Sequence, residues 1–304
     1  MVKETTKQDG LFQIVGAGYK EYIPEEKKLS VFQRIKGWPV FSMAVFFLIA
    51  AGCILAPLIV NHDPTLFYLD ALNQAPNGEY YFGTDSLGRD LYSIMFYGGR
   101  ASIAIGLLSA AIMAVIGIVY GCISGTSYDQ VDSVMMRITE MCGSIPSLLI
   151  ILILTAIFPA GNIFSMSVVI GVTGWFALAR IVRSEVRQIR NSEYVLYARC
   201  SSGGFLYVAW RHLIPNFLSA VMFVVVSNIS SAMTTESTLS FLGLGLPVDV
   251  LSWGSMLSLA NKALIMNTWW VIAVPGLFLV VTLLCITNIG NFIRQETNRK
   301  PSNL

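Results

Sequence analysis

Residues 101–128 read ASIAIGLLSAAIMAVIGIVYGCISGTSY, and none of these side chains is charged. About 20 consecutive apolar residues cross the hydrocarbon of a bilayer, so this run predicts a transmembrane helix. Small residues recur along it at helical spacing: Ser102, Gly106, Ala110, Ala114, Gly117, Gly121 and Gly125. Because small side chains let helix backbones approach closely in lipid, we expect this helix to pack tightly within a bundle.

The composition of the whole chain also indicates a membrane protein. Of its 304 residues, 55% are hydrophobic and 12% are charged, and the mean hydropathy is +0.65. Soluble domains carry about 25% charged residues, and here the few charges lie between long apolar runs. The net charge of +2 is a sum over two sides of a membrane, so it gives no indication of nucleic-acid binding.

The apolar runs predict an all-α membrane protein with six transmembrane helices. The runs are residues 39–60, 101–128, a pair within 141–179 divided by a turn at 158–162, 213–235 and 263–293. Residues 237–261 are apolar too, but glycines, a proline and Asp249 interrupt them. This stretch could be a re-entrant or interfacial segment, and the alternative is a seventh transmembrane helix, which would place the tail outside.

Six transmembrane helices place both termini on one side of the membrane, and the basic residues predict which side. Seven lie in residues 1–38, one is Arg137, six lie between 180 and 211, and three lie in 294–304. This side, with seventeen of the twenty basic residues, is expected to be cytoplasmic. The predicted parts of the chain are a cytoplasmic segment 1–38, a first helix 39–60, an extracytoplasmic loop 61–97, a five-helix domain 98–293 and a cytoplasmic tail 294–304.

A polar island at residues 193–216 separates the fourth and fifth predicted transmembrane helices. Ser192 can cap a helix that begins at Glu193, Gly203 can end it, and Pro215 suits the first turn of the next helix. The pattern predicts a short cytoplasmic helix joined to two transmembrane helices. Such an element could receive motion from a soluble partner, or it could be an ordinary loop whose arginines reach the lipid headgroups.

The island resembles the coupling loop, or EAA loop, of permease subunits in bacterial ABC importers. The resemblance is to the second permease of the oligopeptide, dipeptide and nickel branch, and it places an ATPase-coupling loop at residues 186–216. The residues concerned are Glu193, Tyr194, Val195, Ala198, Arg199, Ser202, Gly203, Arg211, His212 and Pro215. Leu196 and Tyr197 depart from the name-giving triplet, and Ser202 stands where the family usually has glycine.

Residues 82–90, FGTDSLGRD, resemble the signature that precedes the second transmembrane helix in the same family. Its charged and glycine positions are Gly83, Asp85, Gly88, Arg89 and Asp90. Opposite charges and two glycines at such short spacing predict a tight turn held by its own ion pairs. This turn is expected to be a structural element at the outer surface, or a contact for an external binding protein.

Residues 236–247, ESTLSFLGLGLP, resemble another signature of the family. Glu236 follows a long uncharged run, and a carboxylate at that depth is costly unless it faces water or a partner. With Ser240, Gly243 and Gly245 it is expected either to line the translocation path or to pack at a subunit interface. Weaker matches extend the resemblance over about residues 80–292.

The resemblance implies a type I ABC importer permease fold in the membrane of a bacterial cell, with a cytoplasmic coupling helix between the fourth and fifth transmembrane helices. It implies four kinds of partner: a homologous second permease, two cytoplasmic ATPase subunits, an external solute-binding protein and membrane lipid. The chain contains no Gly-Lys dipeptide and therefore no P-loop. ATP and Mg are expected on the ATPase subunits, and this chain is expected to bind no cofactor or metal and to be no enzyme.

Peptides, either dipeptides or oligopeptides, are the expected cargo. Nickel or a metal chelate is the alternative within the transporter class, because those permeases share the same signatures. A channel-like membrane protein is the alternative from a different class. No paired catalytic residues at matching depth indicate an intramembrane enzyme.

Overall fold

The computed structural model describes residues 39–158, 161–190, 214–247 and 249–299, which are mostly helical. The helices within these ranges are α1 Val40–Ile54, α2 Ala56–Ile59, α3 Leu91–Thr126, α4 Asp129–Ser144, α5 Ser147–Ile157, α6 Ile163–Thr173, α7 Phe176–Arg190, α8 Ile214–Phe241, α9 Trp253–Leu257, α10 Ala260–Ile265 and α11 Trp270–Arg299. A connecting segment, residues 60–90, contains one 3-10 turn at Leu69–Ala71.

Two described helices are long and apolar enough to cross a membrane by themselves, α3 and the Trp270–Glu296 part of α11. Two bent pairs pass the same test only when each pair is taken as one membrane crossing, α4 with α5 and α6 with α7. Helix α1 is apolar but shorter. The predicted helical class is confirmed, and the number of crossings stays a prediction.

Helix α3 begins at Leu91, ten residues before the predicted start at residue 101. The reason is a cap: the Asp90 side chain accepts hydrogen bonds from the backbone N–H groups of Tyr92 and Ser93. The last seven residues of the predicted loop 61–97 are therefore helical. Arg100 lies within α3 and donates to the carbonyls of Cys53 and Ile54, which satisfies free acceptors at the end of α1.

The third and fourth predicted transmembrane helices are each interrupted. Helices α4 and α5 meet at an angle of 84° around Ile145 and Pro146, because a residue before proline avoids the helical conformation. Arg137 lies within α4. Helices α6 and α7 meet at 51°, with Gly174 ending α6.

The C-terminal third also departs from the predicted boundaries. Helix α8 extends to Phe241, and residues 249–265 form a turn and the short helices α9 and α10. Helices of five and six residues are too short to cross a bilayer. Helix α11 begins at Trp270 rather than at residue 263, and it continues through Pro275.

Helix α3 packs against α1, α6, α7 and α8, and its glycines explain how these helices approach so closely. A Cβ added at Gly121 would lie 2.7 Å from the Ala179 carbonyl oxygen, and one at Gly125 would lie 2.8 Å from Val186 Cγ1. A Cβ at Gly106 would lie 2.7 Å from Met233 in α8. The expectation that the small residues of this helix serve tight packing is confirmed.

Candidate functional site

Most of the predicted ATPase-coupling loop lies outside the described residues, including Glu193, Tyr194, Val195, Ala198, Arg199, Ser202, Gly203, Arg211 and His212. Pro215 lies in the first turn of α8. The structure does describe α7, the helix that leads directly into this loop. The candidate site therefore begins with how α7 is held.

One face of α7 packs on the glycines of α3. Its side chains Leu178, Val182 and Val186 are all fully buried and recur every four residues. Gly117, Gly121 and Gly125 of α3 recur at the same interval, and each lies against one of these side chains. The two rows therefore match along the contact, which the spacing of i and i+4 on a helix allows.

The other face of α7 carries arginines that bind two carboxylates in the first turn of α4. We call Ser124, Asp129, Asp132, Arg183 and Arg187 the inner ion-pair cluster. Arg183 donates through both Nε and Nη2 to the two oxygens of Asp132, with 2.9 Å from Nε to Oδ1. Arg187 Nη1 lies 3.1 Å from Asp132 Oδ2, and Arg187 also binds Asp129.

Asp132 is the centre of this cluster, since its side chain is only 2% exposed. The Ser124 hydroxyl of α3 donates to its Oδ1 at 2.5 Å, so three helices meet at one carboxylate. A two-pronged guanidinium contact fixes direction as well as distance. The end of α7 is therefore tied to α3 and to α4 at the same level.

The residue 82–90 signature forms the turn that its sequence predicts. Gly83 and Gly88 have φ of 77° and 75°, and a Cβ at Gly88 would lie 2.1 Å from the Tyr68 carbonyl oxygen. Asp85 Oδ1 accepts from the N–H groups of Leu87 and Arg89, both at 2.9 Å. Arg89 Nε donates to Asp85 Oδ2 at 2.8 Å, and both side chains are buried. A turn held by its own ion pair is confirmed, while contact with a binding protein stays a prediction.

Other polar side chains of the connecting segment, residues 60–90, also form contacts within it. Thr65 donates from its hydroxyl and its N–H to Asp63 Oδ1, which lowers the pKa of that exposed carboxyl. The His62 ring is stacked on Tyr80 with centroids 4.8 Å apart, and its Nδ1 lies 3.8 Å from Asp90 Oδ2. Among the described residues, no group of three or more His, Cys, Asp or Glu side chains could hold a metal ion.

Glu236 lies inside the chain, with no exposed surface. Its Oε1 accepts from the hydroxyls of Ser240 at 3.0 Å and Ser252 at 2.9 Å, and Ser237 donates to Oε2 at 3.3 Å. A Cβ at Gly254 would lie 2.6 Å from Oε1, so the carboxylate sits directly against the α9 backbone. In this conformation Glu236 joins α8 to α9, and its expected role in the path or at a subunit interface stays a prediction.

The glycines of this signature shape the turn after α8. Gly243 has a φ of 76°, which favours glycine. A Cβ at Gly245 would lie 2.1 Å from the Ser240 hydroxyl oxygen, the same group that donates to Glu236. The two glycines therefore allow the chain to fold back closely enough for Ser252 to reach the carboxylate.

Helix α9 brings the two signatures together, a connection that sequence reasoning missed. The Trp253 N–H donates to Ser102 Oγ at 3.0 Å, and its indole N–H donates to the Met95 carbonyl at 2.8 Å, both in α3. Arg89 Nη2 lies 3.8 Å from Met256 Sδ in α9. Trp270, the first residue of α11, donates to the Thr84 carbonyl at 3.0 Å. The sequence signal for this connection was that residues 82–90 and residues 236–247 both resemble signatures of one family.

The fold and these contacts define a helical protein with helices long and apolar enough to cross a membrane, and the polar interactions described above join its helices to one another. Residues 117–299 match the family described as binding-protein-dependent transport system inner membrane component. This match covers more than half of the chain. The chain therefore belongs to this family of transport components.

Individual relatives agree with the family. The oligopeptide transport system permease protein OppC of Bacillus subtilis is 33% identical over 258 residues, which cover 85% of this chain and 84% of the relative. The dipeptide transport system permease protein DppC of the same organism is 32% identical over 81% of this chain and 77% of its own length. The OppC protein of Haemophilus influenzae is 36% identical over 73% of this chain and 71% of its own length.

Proposed function

We propose that this chain conducts peptides across the membrane of a bacterial cell as one of two permease subunits of an ATP-driven importer. The relatives are named as permeases of oligopeptide and dipeptide transport systems, which favours peptides over nickel or a metal chelate. The partners are a homologous second permease, two cytoplasmic ATPases that carry ATP and Mg, and an external solute-binding protein. The family description, which refers to a binding protein and a transport system, supports this assembly.

Six crossings of the membrane, with both termini in the cytoplasm, are part of the proposal. Helices α3 and α11 and the two bent pairs supply four of them. Helix α8 supplies the fifth crossing, since its 28 residues span about 42 Å at 1.5 Å per residue. Helix α1, continued by α2, supplies the remaining crossing. The excess of basic residues at the termini and between 180 and 211 supports the orientation.

The observation that carries the mechanism is the inner ion-pair cluster. We infer that the ATPases grip the loop at residues 186–216 and move α7 as they close on ATP. Because Asp132 ties α7 to α3 and α4, the motion of α7 passes to those helices rather than being lost in a flexible joint. Movement of packed helices as rigid bodies is the usual way to alternate access to a central path.

Exchange of the charges tests this role. Asp132→Arg and Arg183→Asp, made singly in the assembled importer, should lower the peptide taken up per ATP hydrolysed by about tenfold, within the usual range of coupling energies. The double exchange should restore part of that ratio, because the pair is rebuilt with opposite direction while Arg187 still faces position 132. Asp129→Asn is the control, since that side chain is 88% exposed and its pair with Arg187 is screened by solvent. If both single exchanges keep the uptake per ATP of the unchanged protein, coupling does not use this cluster.

Reconstitution tests the proposed function itself. Proteoliposomes that contain both permeases and the ATPases should accumulate a labelled peptide only when ATP and the binding protein are present. The isolated chain should hydrolyse no ATP, because it has no P-loop. Peptide entry without ATP would favour the channel-like alternative, and uptake of nickel but not of peptides would favour the metal alternative.

A further inference from the structure

The corner between α10 and α11 exposes a compact set of large apolar side chains. The exposed fractions are 86% for Ile265, 70% for Leu264 and 62% for Trp269, and Met266 is also exposed. No charged residue occurs between Leu264 and Trp270. We call residues 264–269 the apolar corner. Side chains of this size on a surface indicate a contact with something other than water.

The corner is held in place by residues that alternate with the exposed ones. Ala260, Ala263, Thr268 and Trp270 are buried, and the Trp270 indole donates to the Thr84 carbonyl. The side chains of Leu264, Ile265 and Trp269 therefore point outward from a firmly packed base, while Met266 Sδ accepts a hydrogen bond from Asn73 Nδ2 at 3.4 Å. Their exposure is a property of the fold and does not come from a loose end.

Three backbone N–H groups of the corner donate to carbonyls of α10. The N–H groups of Met266 and Thr268 donate to the carbonyls of Lys262 and Ala263 at 3.0 and 2.9 Å. The Asn267 N–H donates to the Leu264 carbonyl at 3.4 Å, with Asn267 in a left-handed conformation, φ 55°. N–H groups paired within the chain suit contact with lipid, because hydrocarbon offers no partner.

The corner is also continuous with an exposed apolar stripe on α11. Leu277, Val280 and Leu284 are exposed along this helix, which is one of the two described helices able to cross a membrane alone. At 100° per residue, Trp269 lies within the same sector as those three side chains. The corner therefore stands at the end of the part of α11 that is long and apolar enough to cross a membrane.

We propose that the apolar corner is an interfacial anchor that inserts into the lipid bilayer. Leu264 and Ile265 enter the boundary between acyl chains and headgroups, and the Trp269 ring lies at headgroup level, where tryptophan is enriched. Lys262 is exposed one turn earlier, so its ammonium can reach the lipid phosphates. The ligand is the bilayer surface at this end of α11, and the proposal holds whichever cargo the subunit carries.

Depth-dependent quenching tests the anchor. The full chain, with its native cysteines replaced, receives a single cysteine at one of three positions and an environment-sensitive fluorophore: Ile265→Cys, Gly78→Cys or Leu277→Cys. Gly78 is the matched control outside the helices, since it is exposed and a side chain there would meet nothing within 4 Å. The proteins are placed in lipid nanodiscs that contain lipids with a spin label near the headgroup or deep in the acyl chain.

The fluorophore at position 265 should be quenched by the shallow label about threefold more than at position 78, and less by the deep label than at position 277. Leu264→Cys serves as a second reporter and should behave as position 265 does, since Leu264 is 70% exposed. Quenching at 265 equal to that at 78 would overturn the proposal. Loss of quenching when the second permease or the binding protein is added would also overturn it, because the corner would then be a protein interface.

Discussion

Two buried carboxylates of this chain each bind an arginine, and the two pairs differ in what they connect. Asp85 and Arg89 are four residues apart in one turn, and both side chains are almost fully buried. Asp132 and Arg183 are 51 residues apart, on α4 and α7, and Arg183 keeps 28% of its side chain exposed. The first pair fixes the shape of a single segment, while the second joins two helices.

The difference teaches where motion can be transmitted. A pair within one turn forms when the turn forms, and its geometry does not depend on how the helices are arranged. A pair between helices exists only while those helices keep one arrangement, so it can either hold them together or report their separation. For this reason we assign mechanical coupling to the inner ion-pair cluster and structural support to the turn at residues 82–90.

The largest effect should come from the backbone of the turn. Gly88→Ala places a Cβ 2.1 Å from the Tyr68 carbonyl at a φ of 75°. We expect more than about 4 kcal/mol of destabilisation, because left-handed strain adds to displacement of the backbone. Thermal unfolding in detergent measures it, and Gly78→Ala is the control because its Cβ would meet nothing within 4 Å. Similar melting of the two variants would mean that the turn is not tightly packed.

The next effect should come from the ion pair of the turn. Asp85→Asn keeps an oxygen acceptor but removes the charge that faces the buried Arg89 guanidinium. Leaving that charge unpaired should cost about 3 kcal/mol, the lower end of the range for breaking a buried pair. Arg89→Met combined with Asp85→Asn should recover part of this loss. A double variant less stable than the Asp85→Asn single variant would contradict the explanation by an unpaired charge.

A smaller effect on stability should come from the inner pair. Asp132→Asn should cost about 2 kcal/mol, since water partly screens the exposed portion of Arg183. Its effect on uptake per ATP should nevertheless exceed that of Asp85→Asn, because only the inner pair joins two helices. A comparison of the two variants by both measurements separates coupling from stability. If Asp85→Asn lowers the uptake per ATP more than Asp132→Asn does, the assignment of roles is reversed.

The smallest effect should come from the exposed member of the inner cluster. Asp129 is 88% exposed, and exposed pairs contribute little after solvent screening. Asp129→Asn should leave both the melting temperature and the uptake per ATP close to those of the unchanged protein. Raising the salt concentration should remove any remaining difference. A large loss would mean that Arg187 depends on Asp129 and that the cluster extends to the surface.

The sequence predicted what depends on neighbours along the chain. Uncharged runs indicated the helices, the spacing of Gly117, Gly121 and Gly125 indicated tight packing, and Asp85 with Arg89 indicated an internally paired turn. The early start of α3 was missed because Asp90 was assigned to that turn and not to a helix cap. The bend at Pro146 was missed because the run remains uncharged through it, although a proline there was a visible signal.

The inner ion-pair cluster could not be found in the same way, because its partners meet only after α4 and α7 pack together. The signal was indirect: acids three residues apart on one helix and arginines four residues apart on another, both predicted on the same side of the membrane. Glu236 was singled out correctly as unusual, but its serine partners depend on the turn after α8. The roles of the loop at 186–216 remain predictions.

Gly117, Gly121 and Gly125 of α3 contact the side chains of α7 directly, and we call this contact the glycine seam. It has a consequence for the speed and fidelity of transport. At Gly121 the backbone of α3 contacts the Val182 side chain of α7, and the glycine contributes no side chain of its own. Few rotamers can therefore rearrange when force acts on the helices. We expect such a contact to lose little of the work that the proposed ATPases would deliver, because few side chains there can change conformation. The two helices should therefore move together, without delay, in each ATP cycle. A single methyl group added at this seam would alter the timing of that movement in the whole subunit.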